Sequence, residues 1–193
     1  MDTRNLADWI YVEDAWLSDL ECEQFLNAYH LSDKTAFDAS WRRCEQSSAI
    51  EKSPSLHQLL KSKLRTSIDK YRDHVGNSTI NFVSKLETPL MFKYSPNVDT
   101  PNLFHLHSDN WSMQSASRQV SVIIYLNDVA EGGETDFEKL GVKVSPKRGR
   151  LLMFPSFYLY MHKGCEPISN DKYIIVCWCH FDGDGHSYRC STF

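Results

Sequence analysis

Apolar and polar residues follow one rhythm in the first third of this chain and another in the rest. Ser18 followed by Glu21 forms the capping-box pattern that opens a helix. Leu20, Phe25, Leu26 and Tyr29 then supply an apolar face. A second helix is expected to open at Ser53-Pro54, because proline at the first helical position lacks only an N–H that would go unpaired anyway. Leu56, Leu59, Leu60, Leu64, Ile68, Tyr71 and Val75 recur at helical spacing, and Gly76-Asn77 ends the run. One apolar face opposite a charged one predicts a scaffold helix packed against a sheet.

From about residue 79 short runs rich in β-branched and aromatic residues alternate with turns. Strands are expected near 79–84, 88–95, 104–109, 118–126, 142–145, 150–154, 157–162 and 172–181. The punctuation is Gly132-Gly133, Gly141, Lys147-Arg148-Gly149 and Ser169-Asn170-Asp171. Gly132-Gly133 is expected as a hairpin turn that needs positive φ. The fold class is mainly β with N-terminal helices (α+β): a sandwich, jelly roll or barrel with helices packed on it. The closing residues DGDGHSYRCSTF predict an irregular tail.

Composition narrows the function more than the fold. The 193 residues suit one domain, and 41% hydrophobic with 24% charged residues is ordinary for a soluble globular chain. A net charge of -4, with no basic stripe among aromatics, argues against a nucleic-acid partner. The start MDTRNLADWIYVEDAWL has acids where a signal peptide needs an apolar run. The longest apolar run, YIIVCWC, is too short to cross a membrane, so the expectation is a cytoplasmic protein without a membrane partner. The 6 cysteines are expected to be reduced, with Cys177 and Cys179 as buried thiols in a strand.

Candidate chemistry centres on FHLHSDNW. His105, His107 and Asp109 sit at alternate positions and would share one face of a strand. A second His-x-Asp pair, His180 and Asp182, is followed only by His186 and reads as a strand end running into a turn. After Asp109 there is room for several strands before His162. Two histidines and one carboxylate with open positions form the facial triad of non-haem Fe(II) chemistry. A structural zinc site would close all its positions. The cosubstrate of that chemistry is a 2-oxo acid whose far carboxylate needs a cation, and Lys172 opens the apolar run KYIIVCWCHF.

From Leu90 to Phe181 the chain resembles the catalytic domain of the prolyl 4-hydroxylase-like 2-oxoglutarate/Fe(II) dioxygenases. The matching stretches are FKY, HSD, RQVSVIIYLNDVAEGGETDF, PKRGRLLMFP and HKGCEPISNDKYIIVCW. The resemblance implies a double-stranded β-helix, a jelly-roll variant, over about 79–182, with helical support over about 1–78 in a single domain of 1–193. It implies that His107, Asp109 and His162 hold Fe(II), and that Lys172 binds the far carboxylate of 2-oxoglutarate. Tyr94 would also reach that carboxylate, Ser121 would stand beside it in place of a usual threonine, and Trp178 would line the site. Arg118 resembles an arginine that faces the substrate in some members. The implied cofactors are Fe(II), 2-oxoglutarate and O2, with ascorbate as reductant. The implied reaction hydroxylates an unactivated C–H bond, foremost of a prolyl residue in a peptide or protein, and forms succinate and CO2. No acid/base residue is required.

The chain departs from the family pattern at two loops. SPNVDTPNLFHL lengthens the link between Tyr94 and His107, and NWSMQSAS between Asp109 and Arg118 is short. Both loops would bear on the substrate, so a free amino acid or another side chain is an alternative substrate. A cupin-type centre using His105, His107 and His162 is a second class, but it wants a glutamate where Trp111 and Ser112 stand. A nucleic-acid demethylase would use arginine for the cosubstrate and a basic groove. A non-catalytic binding module is a third class, against which a complete triad with Lys172 speaks.

Overall fold

The computed structural model describes residues 5–76, 85–96 and 103–180. A short strand, β1 (Tyr11–Glu13), leads into helix α1 (Asp19–Leu31). The capping box forms as expected: Ser18 Oγ accepts from Glu21 N at 3.3 Å, and Ser18 N donates to Glu21 Oε2 at 2.7 Å. Cys22, Phe25 and Tyr29 make the buried face. Leu20 is 70% exposed, unlike the expectation, because five residues from Phe25 place it about 140° away around the helix.

The next segment corrects the helical expectation for the first third. Strands β2 (Thr35–Ala39) and β3 (Arg42–Ser47) form an antiparallel hairpin. TAFDASWRRCEQS has no apolar spacing for a helix face. It becomes a strand pair because β3, with β2 on one edge, hydrogen-bonds to β6 at its start and β5 at its end along the other. Helix α2 (Pro54–His74) then opens with Pro54 as expected and buries Leu56, Leu60, Leu64 and Tyr71. Gly76 follows at φ 67.

The remaining strands are β4 (Lys85–Leu86), β5 (Leu90–Tyr94), β6 (Phe104–His107), β7 (Arg118–Tyr125), β8 (Thr135–Phe137), β9 (Val142–Val144), β10 (Leu151–Pro155), β11 (His162–Gly164) and β12 (Lys172–His180). The strand expected at 157–162 is instead a 3-10 turn, Tyr158–Tyr160, followed by β11. The turn buries Tyr160 but leaves Tyr158 71% exposed. The strand expected at 79–84 and the tail lie outside the described residues, as do Asp182, His186 and Cys190.

Every strand pair described is antiparallel. Along the sheet the order is β1-β10-β7-β12-β5-β3-β6-β11-β8-β9, with β2 on β3 and β4 on β12. This mostly antiparallel sheet with two helices is consistent with a jelly roll. Its central strands alternate between two apolar clusters, as a period of two requires. Val122, Ile124, Met153, Ile175 and Cys177 join α1 and α2 in one core. Ile123, Tyr125, Phe154, Ile174 and Val176 face the other way, into a second cluster. The functional pocket opens in that second cluster. Among the described residues no helix is long and apolar enough to cross a membrane. Cys22, Cys44, Cys177 and Cys179 are buried free thiols, and Cys165 is half-buried.

Candidate metal and cosubstrate site

Cross-strand pairing assembles the triad. His107, the last residue of β6, is the register partner of His162, the first of β11. Asp109 follows two residues after His107, with its N–H donating to Ser156 O at 3.1 Å. One ligand atom from each of the three residues lies within 4.8 Å of the others. Asp109 Oδ1 is 3.5 Å from His107 Nε2, and Oδ2 is 3.8 Å from His162 Nε2.

Both imidazoles are oriented by the backbone. His107 Nδ1 lies 2.7 Å from His105 O, and His162 Nδ1 lies 3.1 Å from Tyr160 O. A carbonyl can only accept, so each Nδ1 carries the proton and each Nε2 lone pair faces the centre. Phe104 stacks on His107 at 3.6 Å, while Phe137 and Phe154 pack against His162. Burial pushes His162 down to about 4, against the pull of Asp109, so the ring is a neutral donor at neutral pH. Burial alone would raise the Asp109 carboxyl. The facing His162, His107 and Ser121 outweigh it and hold the carboxyl well below the usual carboxylate range. Two imidazoles and one carboxylate suit a divalent iron.

A pocket extends from the triad to Lys172, past Tyr94, Tyr125, Thr135 and Trp178. Lys172 is 3% exposed, and its Nζ donates to Gly133 O at 2.9 Å and to Cys165 O at 3.4 Å. Burial lowers it to about 8. It has no carboxylate partner among the described residues, so a buried ammonium stands ready for an anion. Nζ also lies 4.8 Å from the centre of the Tyr94 ring, its register partner on β5. The Gly133 carbonyl is set by the Gly132-Gly133 pair, which has the expected positive φ but links β7 to β8 without a hairpin, because those strands pair with other partners. Gly132 has φ +76, and a Cβ there would meet Glu166 O at 2.3 Å, so positive φ and close approach both require glycine.

Several expected residues occupy other positions. Ser121 does not stand at the Lys172 end: its Oγ donates to Asp109 Oδ2 at 2.5 Å and lies 2.9 Å from Ser156 Oγ. β7 places position 121 opposite Trp178, far down the strand from the Lys172 terminus of β12, and this register is the reason. Thr135 supplies a hydroxyl on the pocket wall instead, 2.7 Å from that of Tyr125. Arg118 is not among the pocket-lining residues. Its guanidinium pairs with Glu87 at 2.5 Å, donates to Asp109 O at 3.2 Å and lies 3.5 Å over the Trp178 ring. His105 is exposed and lines a neighbouring surface groove with Arg43 and Leu103, outside the triad. Of the second His-x-Asp pair, His180 bonds Glu87 at 2.8 Å.

Sequence reasoning missed Arg42. It reaches the pocket from β3, between the rings of Phe92 at 4.1 Å and Phe104 at 4.5 Å. An arginine in a polar run reads as a solvated residue. Neither TAFDA nor RRCEQS alternates strictly, so no local pattern signals the hairpin that turns it inward.

Comparison with known proteins agrees with this geometry. Residues 93–180 match the family model described as the 2OG-Fe(II) oxygenase superfamily. Probable prolyl 4-hydroxylase 4 of Arabidopsis thaliana is 21% identical over 210 residues, covering 89% of this chain and 67% of that protein. Two further prolyl 4-hydroxylases align over short stretches, so the chain spans only 30% and 16% of their length. Among solved structures, the viral collagen prolyl hydroxylase of Paramecium Bursaria Chlorella virus-1, in a 2OG complex, superposes with TM-score 0.63 at 21% identity, covering 88% of this chain and 94% of that one. The Trichoplax adhaerens prolyl hydroxylase, in complex with a hypoxia inducible factor peptide fragment, gives 0.69 at 19%, covering 90% and 84%. At such identities the structural likeness speaks for the fold. The family match spans the strands that carry the triad and Lys172, and over residues 93–180 the chain is similar to the 2OG-Fe(II) oxygenase superfamily.

Proposed function

We propose that this protein hydroxylates a prolyl residue of a peptide or protein, with Fe(II), 2-oxoglutarate and O2, forming succinate and CO2. The observation that carries the reading is Lys172, a buried ammonium without a carboxylate partner among the described residues, in the same pocket as the triad. We assign the iron to His107 Nε2, His162 Nε2 and Asp109. The far carboxylate of 2-oxoglutarate falls to Lys172 with Tyr94. When bound, iron and 2-oxoglutarate supply the oxidising power for an unactivated C–H bond.

The protein's own groups orient and exclude. The carbonyls of residues 105 and 160 fix the imidazole tautomers, and Ser121 holds the Asp109 carboxylate. Ile123, Ile174 and Val176 keep the pocket wall apolar, which strengthens the attraction between Lys172 and an incoming carboxylate. No proton needs to be moved by a side chain.

The prolyl assignment draws on the relatives, which are named as prolyl 4-hydroxylases and a collagen prolyl hydroxylase. A macromolecular substrate is also supported by the chain itself. Trp111 and Met113, just after Asp109, are 72% and 90% exposed, and Tyr158, just before His162, is exposed as well. These side chains offer an apolar rim beside the triad. We read residues 1–193 as one domain whose N-terminal helices support a double-stranded β-helix.

The test is succinate formation from 2-oxoglutarate by Fe(II)-loaded protein given air and proline-rich peptides, wild type against His162→Ala. Peptide-stimulated turnover that His162→Ala abolishes is the expected result. Turnover stimulated by free amino acids and not by peptides would move the substrate class. No binding of 2-oxoglutarate would remove the Lys172 assignment.

A further inference from the structure

The pocket holds a second cation, half-buried, that the family resemblance did not supply. Arg42 comes from the hairpin β2–β3, outside the stretch 93–180 that the family model matches. Its Nη2 donates to the Tyr94 hydroxyl at 3.1 Å. Its Nε is buried without any hydrogen-bond partner. Among the described residues no carboxylate pairs with it. A guanidinium presents five donors in a planar fork, and burying one unsatisfied costs free energy unless a ligand completes it. Arg42 and Lys172 approach Tyr94 from two sides, one at its hydroxyl and one over its ring. The two cations therefore share the Tyr94 side chain and line the same pocket as the triad.

We propose that Arg42 is a specificity-determining residue for the cosubstrate: with Lys172 it forms a two-cation clamp for the carboxylate remote from the iron. The inference rests on the proposed placement of 2-oxoglutarate in this pocket. Phe92 and Phe104 hold the guanidinium plane between their faces, so the fork is set before the ligand arrives and little side-chain entropy is lost on binding. The hydroxyl of Tyr94 accepts from Arg42, which leaves its own proton free to donate to the incoming anion. A 2-oxo acid ending in methyl instead of carboxylate would leave both cations unanswered.

The experiment is anaerobic calorimetry of Fe(II)-loaded protein with two probes, 2-oxoglutarate and 2-oxopentanoate. The proteins are wild type, Arg42→Met and Arg42→Lys. The expected result is at least about a tenfold weaker Kd of Arg42→Met for 2-oxoglutarate, with 2-oxopentanoate unchanged, since a charge-assisted hydrogen bond is lost for one probe alone. Arg42→Lys keeps the charge and loses the fork, and should recover part of the loss. Mn(II) binding followed by electron paramagnetic resonance should be the same in all three, which shows that the triad stays assembled. Equal Kd for 2-oxoglutarate in wild type and Arg42→Met would overturn the clamp while leaving the function standing. Equal weakening for both probes would reduce Arg42 to a packing residue and overturn it too. If wild type bound neither probe, the proposed function and the clamp would fall together.

Discussion

The Oγ of Ser121 donates a 2.5 Å hydrogen bond to Asp109 Oδ2, the same oxygen that faces His162 Nε2 at 3.8 Å. Ser121 is fully buried on β7, so this bond fixes the rotation of the carboxylate from behind. Substituting Ser121→Ala should weaken metal binding by about 10- to 100-fold, the usual effect of removing a partner that orients a ligand. A Mn(II) titration read by electron paramagnetic resonance checks it. An unchanged titration would mean that the bond from the Asp109 N–H to Ser156 O suffices to place the residue.

Cosubstrate binding should depend on pH through Lys172. Burial lowers its pKa to about 8, and a bound carboxylate favours the ammonium and raises it again. Binding then takes up a proton above pH about 8, so affinity for 2-oxoglutarate should be flat below that value and fall about tenfold per pH unit above it. The folded protein without ligand has the opposite sign. The unfolded chain holds the Lys172 proton up to its ordinary value of 10.5, so stability rises with pH between about 8 and 10.5. Calorimetry with Lys172→Arg, whose charge does not titrate there, should show no such fall.

Arg118 ties three parts of the site together: Glu87, the Asp109 carbonyl and the Trp178 face. Arg118→Lys cannot keep the two-pronged contact with Glu87 and the carbonyl bond at once. It should lower stability by about 1–3 kcal/mol, the range for hydrogen bonds to charged groups, as measured by urea unfolding. Arg118→Ala should unfold no later than Arg118→Lys; the reverse order would mean that the buried charge costs more than its contacts return.

Gly132→Ala places a methyl where Glu166 O already stands and forces a side chain into positive φ. A loss of about 1–3 kcal/mol is expected from the backbone alone. The shift should also disturb the neighbouring Gly133 carbonyl that holds Lys172, so 2-oxoglutarate affinity should fall while Mn(II) affinity stays. Thermal unfolding and the two binding isotherms separate these effects.

The parts of this protein legible in its sequence are those where local chemistry and tertiary need agree. The Ser18–Glu21 box closes on itself, Pro54 opens α2, and β12 is apolar on both faces because both faces are covered. The triad was legible because two of its members sit two residues apart on a strand edge, and the third opens a run of its own. The hairpin β2–β3 was not legible. Most of its side chains are partly exposed, and its strand state depends on β5 and β6, which lie far along the chain. Arg42 was lost with it. FYLYMH misled because aromatic residues suggest a strand, whereas here a 3-10 turn leaves Tyr158 and Leu159 exposed. The role of Ser121 depended on cross-strand register, which pairing partners decide and a single strand does not reveal.

β12 assigns its side chains strictly by parity. Lys172, Ile174, Val176 and Trp178 line the pocket, while Tyr173, Ile175, Cys177 and Cys179 pack with the helices. Inserting or deleting one residue there would exchange the two sets, driving Lys172 towards oil and two thiols towards the metal. The strand behaves as a ruler with chemistry engraved on one edge and cohesion on the other. Cosubstrate preference can therefore drift by replacing one side chain for another, but the spacing itself is locked to the survival of the core. A change in length is tolerated only in the connections between strands, where it leaves the ruler undisturbed.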